Sequence, residues 1–165
     1  MNKIIILGIL TGNIILQTTV LNFLTINNAA LNPTLLLMVA IGVYLKPKES
    51  FVYALYGGLL LDIVTGVLIG LNTFIYILIV FALSIIQEEI VKNSYITPLL
   101  LAVLSIITYN FFSLIFVYLM GYTVRLAHYF SASTLIEIGY NSIFMLLIYG
   151  LFGKFYNRRI KEVKY

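Results

Sequence analysis

An uncharged stretch at residues 4–45 constrains the fold of this chain most strongly. It is too long for one helical span of about 20 residues across a hydrocarbon core of about 30 Å. The stretch is interrupted at residues 25–33, Thr-Ile-Asn-Asn-Ala-Ala-Leu-Asn-Pro, where Asn and Pro favour a turn. We therefore predict two spans, at residues 4–24 and 33–45.

The composition of the chain also indicates that it lies in a lipid bilayer. Of its 165 residues, 62% are hydrophobic and 10% are charged, whereas a soluble domain has about 25% charged residues. So little charge could not cover a water-facing surface, which excludes an ordinary soluble enzyme and a disordered protein. The chain has no Cys and a single His, His128, so we expect neither a bound metal nor a cofactor.

Charged and polar breaks predict four further spans, at residues 50–69, 72–87, 95–120 and 134–155. A transmembrane β-barrel would show alternating segments of about ten residues. This chain has long apolar runs, and helices satisfy their own backbone groups in lipid. The sequence thus predicts an all-α membrane protein: one domain over residues 1–165, with six transmembrane helices and short loops.

The basic residues are predicted to lie on one side of the membrane. If the N-terminus is cytoplasmic, nine of the ten Lys and Arg residues face the cytoplasm, as the positive-inside rule requires. These nine are Lys3, Lys46, Lys48, Lys92, Lys154, Arg158, Arg159, Lys161 and Lys164. Only Arg125 faces outward. Both termini are therefore predicted to be cytoplasmic, and the net charge of +4 reflects topology and not nucleic-acid binding.

The C-terminal tail concentrates this positive charge. Its basic residues are Lys154, Arg158, Arg159, Lys161 and Lys164. Each would lie beside anionic lipid, where a basic side chain contributes about 1 kcal/mol. Contact with a cytoplasmic protein is the alternative.

Asp62 is the one charged residue inside the predicted third span. Twelve residues from Ser50 it would lie about 18 Å deep, near the membrane centre, where we expect a protonated carboxyl. It could serve as an ion or proton site, contact a partner helix, or hold the bundle together. If the carboxyl only donates and accepts hydrogen bonds, Asp62→Asn should have almost no effect.

Small residues surround Asp62 at four-residue spacing, which forms one ridge along a helix. The ridge comprises Ala54, Gly58, Asp62, Gly66 and Gly70, and Gly57 widens it. Because small residues let helix backbones approach closely, the ridge packs either against other helices of this chain or against a separate protein's transmembrane helix. A second glycine pair, Gly8 and Gly12, is weaker evidence of the same kind.

Several polar side chains lie within the other predicted spans. We expect four amides to hydrogen-bond to neighbouring helices: Asn13, Gln17, Asn110 and Asn141. Thr134 and Glu137 have the spacing of a capping box at the start of the sixth span. Pairing of Glu137 with Arg125 is the alternative. Glu88 and Glu89 are read as a solvated loop, and the chain has no phosphate-binding loop, metal motif or nucleophile elbow.

The third span resembles a known family. The segment is Gly-Gly-Leu-Leu-Leu-Asp-Ile-Val-Thr-Gly at residues 57–66, followed by Leu-Ile-Gly-Leu-Asn at residues 68–72. It resembles the Gly-Leu-Leu-x-Asp signature of the rod shape-determining membrane protein family MreD, as Pro-Thr-Leu-Leu-Leu at residues 33–37 resembles that family's Pro-x-Leu-Leu-Leu. The family often has Pro-Leu-Gly in the turn, where this chain has Leu-Ile-Gly.

The resemblance implies a non-enzymatic protein of the bacterial cytoplasmic membrane. Such proteins bind the single-span protein MreC and act with the MreB filament, RodA and its partner transpeptidase in cell elongation. The six-helix arrangement also resembles the substrate-binding subunits of energy-coupling-factor vitamin transporters, which supplies an alternative function. In such a transporter, small residues on the first helix, such as Gly8 and Gly12, would contact the coupling subunit.

The predicted topology can be tested with reporter fusions. Fusions after Lys48, Lys92 and Tyr165 should all report a cytoplasmic location, because basic residues surround these positions. A fusion near His128 should report an external location. An external signal at Tyr165 would contradict an even number of spans.

Overall fold

The computed structural model describes residues 3–20, 31–66, 68–90, 94, 96–121 and 132–162. These residues form helices and no strand, which confirms the all-α prediction. The helices are α1 (Lys3–Thr19), α2 (Pro33–Tyr44), α3 (Pro47–Thr65), α4 (Leu71–Ile86), α5 (Ile96–Leu119) and α6 (Ala132–Glu162).

Helix α2 is the centre of the bundle. All twelve of its residues are buried, and it packs against each of the other five helices. Its sequence explains this position, because a helix that is hydrophobic all round has no face to offer to water. At about 1.5 Å per residue it is only about 18 Å long.

Side chains from α3 and α4 cap the C-terminal end of α2. Gln87 Nε2 donates to the carbonyl oxygens of Val43, at 2.9 Å, and Leu45, at 2.7 Å. Ser50 Oγ donates to the carbonyl oxygen of Ile41 at 3.1 Å. The last carbonyls of a helix have no partner within it, so a buried helix end depends on such donors.

The helices alternate in direction, so their ends form two sets. Asn32 at the start of α2 contacts the end of α1, and the end of α3 contacts the start of α4; we call this the network end. At the other end, a Cβ added to Gly153 of α6 would lie 2.6 Å from the hydroxyl of Tyr44 at the end of α2. The described lysines all lie toward this basic end: Lys3, Lys46, Lys48, Lys154 and Lys161.

Two helices are long and apolar enough to cross a membrane, over Ile96–Leu119 and Ser133–Phe155. Helices α1, α2 and α4 are apolar but have 17 residues or fewer. Helix α3 has 19 residues but carries Lys48, Glu49 and Asp62. Helices shorter than about 20 residues do not by themselves cover a core of about 30 Å. The six helices are therefore observed, while the prediction that each one is transmembrane is not confirmed.

Two differences between the helix boundaries and the predicted spans bear on the candidate residues. The predicted third span continues to residue 69, but α3 ends at Thr65 because Gly66 adopts a left-handed conformation with φ of 64°. The sixth helix continues past the predicted residue 155 to Glu162. Arg158, Arg159 and Lys161 therefore belong to α6, and Lys164 lies outside the described residues.

Candidate functional site

Asp62 lies in the last turn of α3, and its side chain is fully buried. Five hydrogen bonds from the start of α4 converge on its carboxylate. Oδ1 accepts from the backbone N and the side-chain Nδ2 of Asn72, at 3.0 and 2.9 Å. Oδ2 accepts from Gly70 N at 3.0 Å and from Thr73 N and Oγ1, at 3.0 and 2.6 Å.

Three of these donors are backbone amides that a helix start leaves without partners. Helix α4 begins at Leu71, so Gly70, Asn72 and Thr73 lie at its N-cap and in its first turn. A carboxylate at this position also favours the positive end of the helix dipole. Asp62 thus caps α4 from the preceding helix, and its position depends on the tight turn between them.

Two glycines with positive φ make that turn. Gly66 has φ of 64° and Gly70 has φ of 97°, conformations that glycine adopts without a Cβ penalty. Neither residue continues the α3 ridge, which ends with Ala54, Gly58 and Asp62. The predicted five-residue ridge is therefore wrong for Gly66 and Gly70, since a helix must continue for its four-residue periodicity to hold.

The mid-span position predicted for Asp62 is also wrong. The residue lies beside the α3–α4 turn, three residues before α3 ends. Four of its five partners are N–H groups, and the fifth is the Thr73 hydroxyl. Donors of the chain itself occupy the roughly four lone-pair sites of the Asp62 carboxylate. Among the described residues, no group of three His, Asp or Glu side chains is placed to hold a metal.

The small residues on α3 pack inside the chain. Ala54, Gly57 and Gly58 are all buried. A Cβ added to Gly58 would lie 2.4 Å from Thr73 Cα, and one added to Gly57 would lie 2.4 Å from the Met38 side chain. Helix α4 thus occupies the groove at Gly58. Of the two interpretations of the ridge, internal packing fits this geometry, and a partner's helix cannot enter there.

Asn72 connects the Asp62 site to α5. Its Nδ2 donates to Asp62, so its Oδ1 faces the other way and accepts from Tyr109 Oη at 2.8 Å. The carboxylate therefore orients the amide, and the amide in turn holds a tyrosine of the next helix. This chain of contacts joins α3, α4 and α5 in the buried interior.

A second network surrounds the start of α2. Gln17 of α1 bonds to Asn32 and to Thr34, whose backbone N lies 3.1 Å from Gln17 Oε1. Asn13 Nδ2 donates to Thr34 Oγ1 at 2.9 Å. Asn32 Oδ1 accepts from Leu35 N at 3.1 Å, and Asn32 N donates to Asn141 Oδ1 at 2.9 Å. The network satisfies the first amides of α2 with side chains of α1 and α6.

The predicted interhelical amides are confirmed. Asn13, Gln17 and Asn141 belong to the α2 network, and Asn110 Nδ2 of α5 donates to Glu137 Oε2 of α6 at 3.2 Å. The capping box is wrong, because α6 begins at Ala132 and both its members lie inside the helix. Arg125 and His128 lie outside the described residues.

Sequence reasoning missed Asn72, Thr73 and Tyr109 as members of the site. Asn72 was visible only as a turn residue, and nothing in the local pattern separates Tyr109 from the other tyrosines of the chain. The sequence signal for this capping arrangement is an Asp followed by two glycines and then by Asn-Thr, ten and eleven residues after the Asp. The Gly8 and Gly12 positions are exposed, with open space where a Cβ would be added.

Gly58→Ala should destabilise the bundle. The new methyl group would meet the backbone of Thr73, which has no rotamer with which to yield, and overpacking typically costs about 1–3 kcal/mol. Gly8→Ala is the matched control, because it adds the same methyl to an open helical site. Thermal unfolding in detergent should show a lower Tm for Gly58→Ala only. Equal Tm values would show that α3 and α4 do not approach closely.

Asp62→Asn should destabilise the protein and should not be silent. The new NH2 group would oppose N–H donors, and backbone amides at the start of α4 would lose their acceptor, at about 1–3 kcal/mol for each unsatisfied buried group. Hydrogen exchange at residues 70–73 should accelerate and Tm should fall, whereas Glu89→Gln, on an exposed carboxylate, should change neither. An unchanged exchange rate in Asp62→Asn would exclude the capping role.

The comparisons with known proteins identify the family. A family model described as rod shape-determining protein MreD matches residues 2–159. Comparisons with curated proteins and with solved structures give no significant match. The matched residues include α1 to α5, most of α6 and the Asp62 site. The chain therefore belongs to the MreD family of rod shape-determining proteins.

Proposed function

We propose that this protein is a non-enzymatic, multi-pass component of the bacterial cytoplasmic membrane that helps organise peptidoglycan synthesis during cell elongation. The observation that carries the proposal is the family match over residues 2–159. Membership of this family supports a role in rod shape determination. The two apolar helices of membrane-spanning length, Ile96–Leu119 and Ser133–Phe155, are consistent with insertion in a membrane.

The geometry of the polar residues supports a scaffold. Asp62 is saturated by donors of α4, and the amides of Gln17 and Asn141 bond to the start of α2. Such interhelical bonds specify how helices pack in lipid. A bundle whose buried polar groups are used to position its own helices is suited to presenting a defined surface to other proteins.

The proposed direct partner is the single-span protein MreC, through which the chain would act with the MreB filament, RodA and its transpeptidase partner. Because α4 fills the glycine groove of α3 at Gly58, the contact with MreC would use outward-facing surfaces. Exposed apolar side chains are available on every peripheral helix, including Ile9 of α1, Ile63 of α3 and Phe111 of α5.

The basic end would face the cytoplasm and the anionic lipid of the inner leaflet. Lys46 and Lys48 are exposed in the α2–α3 region, and Lys154 is exposed on α6. Helix α6 has 31 residues, about 46 Å at ~1.5 Å per residue, which exceeds a hydrocarbon core of about 30 Å. Its C-terminal turns, with Arg158, Arg159 and Lys161, would therefore extend into the lipid headgroups and beyond.

Deletion and complementation in the source organism would test the function. Cells that lack the chain should lose their rod shape, and a tagged copy should restore it and recover MreC from solubilised membranes. A tagged MreC without its transmembrane helix is the matched control and should not be recovered. Rod-shaped deletion cells would contradict the shape role. Recovery of a transporter coupling subunit in place of MreC would favour the vitamin-transporter alternative.

A further inference from the structure

The turn between α3 and α4 is apolar on its outer surface. Between Ile63 and Leu71 the sequence has no charged residue, and Thr65 is the only residue with a polar side chain. The side chains of Ile63, Val64 and Ile69 are 69%, 51% and 73% exposed. A turn in water is typically polar, so this turn has the surface of a segment that lies in an apolar environment.

The backbone amides after the turn have acceptors within the chain and do not need water. Leu71 N donates to the carbonyl oxygen of Leu68 at 3.3 Å. Three neighbouring amides donate to the Asp62 carboxylate, each at 3.0 Å: those of Gly70, Asn72 and Thr73. Non-helical backbone is tolerated at membrane depth where the protein itself satisfies its polar groups. The amides at residues 70–73 meet that requirement.

The lengths of α3 and α4 limit how far the turn can reach. At the basic end, the exposed carboxylates of Glu49 and Glu88 lie at or beyond the edge of the hydrocarbon, because an exposed charge in lipid is costly. Glu49 is 16 residues from Thr65, and Glu88 is 17 residues from Leu71, which gives about 24 and 26 Å at ~1.5 Å per residue. A hydrocarbon core is about 30 Å thick. The turn therefore lies several ångströms short of the opposite edge.

Helix α5, which is long and apolar enough to cross a membrane, gives a second measure of depth. The ring of Phe74 lies 5.8 Å from that of Phe112 and 5.7 Å from that of Phe116, so the start of α4 lies opposite this part of α5. Gly70 precedes Phe74 by four residues and lies about 6 Å nearer the network end. Beyond Phe116 the chain continues about as far, to Met120. The turn therefore does not project past the end of α5.

We propose that the α3–α4 turn lies inside the membrane, below the lipid headgroups at the network end, where Ile63, Val64 and Ile69 contact acyl chains. Acyl chains are as apolar as aliphatic side chains, and they surround outward-facing residues at this depth. The Asp62 carboxylate then replaces the water that would otherwise solvate the start of α4. This inference rests on the membrane location given under the proposed function, and it adds a lipid-contacting turn to it.

Collision measurements on a spin label would test the depth of the turn. The chain has no Cys, so a single cysteine introduced at Ile69 can carry a nitroxide in lipid nanodiscs. Oxygen concentrates in hydrocarbon and a hydrophilic nickel chelate stays in water, so the ratio of their collision rates reports depth. Phe81, exposed on α4, is the reference position in lipid, and Lys48, exposed at the basic end, is the reference position in water.

We expect the oxygen-to-nickel ratio at Ile69 to lie well above that at Lys48. It should be no lower than the ratio at Met120, the matched exposed position at the end of α5. Nanodiscs of lipids with shorter acyl chains should lower the ratio at Ile69, because the membrane surface then approaches a turn whose position the helices fix. They should not change the ratio at Lys48. A label at Ile63, on the same turn, should repeat these results.

Two results would overturn the proposal. A ratio at Ile69 equal to that at Lys48, in either lipid, would place the turn in water. Poor access of both oxygen and nickel to Ile69 would show that a second copy of the chain, and not lipid, covers the turn. A ratio at Phe81 equal to that at Lys48 would contradict the membrane location itself, so the failure of the proposed function is distinguished from a failure at the turn alone.

Discussion

Five hydrogen bonds to the Asp62 carboxylate join the end of α3 to the start of α4, and other interhelical contacts follow from that junction. The close approach of Gly58 to Thr73 lies beside it, and the Asn72 amide takes its direction from it. A buried carboxylate requires compensation by donors or charges. Here the start of a helix provides the donors, from backbone amides that have no partner within the helix, so each buried polar group satisfies the other.

The same solution recurs at the central helix. Helix α2 is buried along its whole length, so neither of its ends can rely on water for the backbone groups that a helix leaves unpaired. Gln17 and Asn141 satisfy its first residues, and Gln87 and Ser50 satisfy its last carbonyls. The amides and hydroxyls that interrupt the apolar sequence are therefore structural partners of backbone groups.

This use of the polar residues bears on how a shape-determining membrane protein acts. The groove that small residues make on α3 is filled by α4, so a partner's helix would have to contact the outside of the bundle.

Sequence alone determined the helical class, the positions of the helices and the interhelical role of Asn13, Gln17, Asn110 and Asn141, because apolar run length and isolated amides are local signals. It also identified Asp62 and the turn at Gly70 as special. Only the tertiary structure decided what Asp62 does. Its donors come from the next helix, about ten residues along the chain. The left-handed Gly66 ends α3 early, so Asp62 lies beside the turn and not at the predicted mid-span position. A periodic pattern cannot show where a helix stops or which neighbour fills its groove, since both depend on contacts made after the chain has folded back.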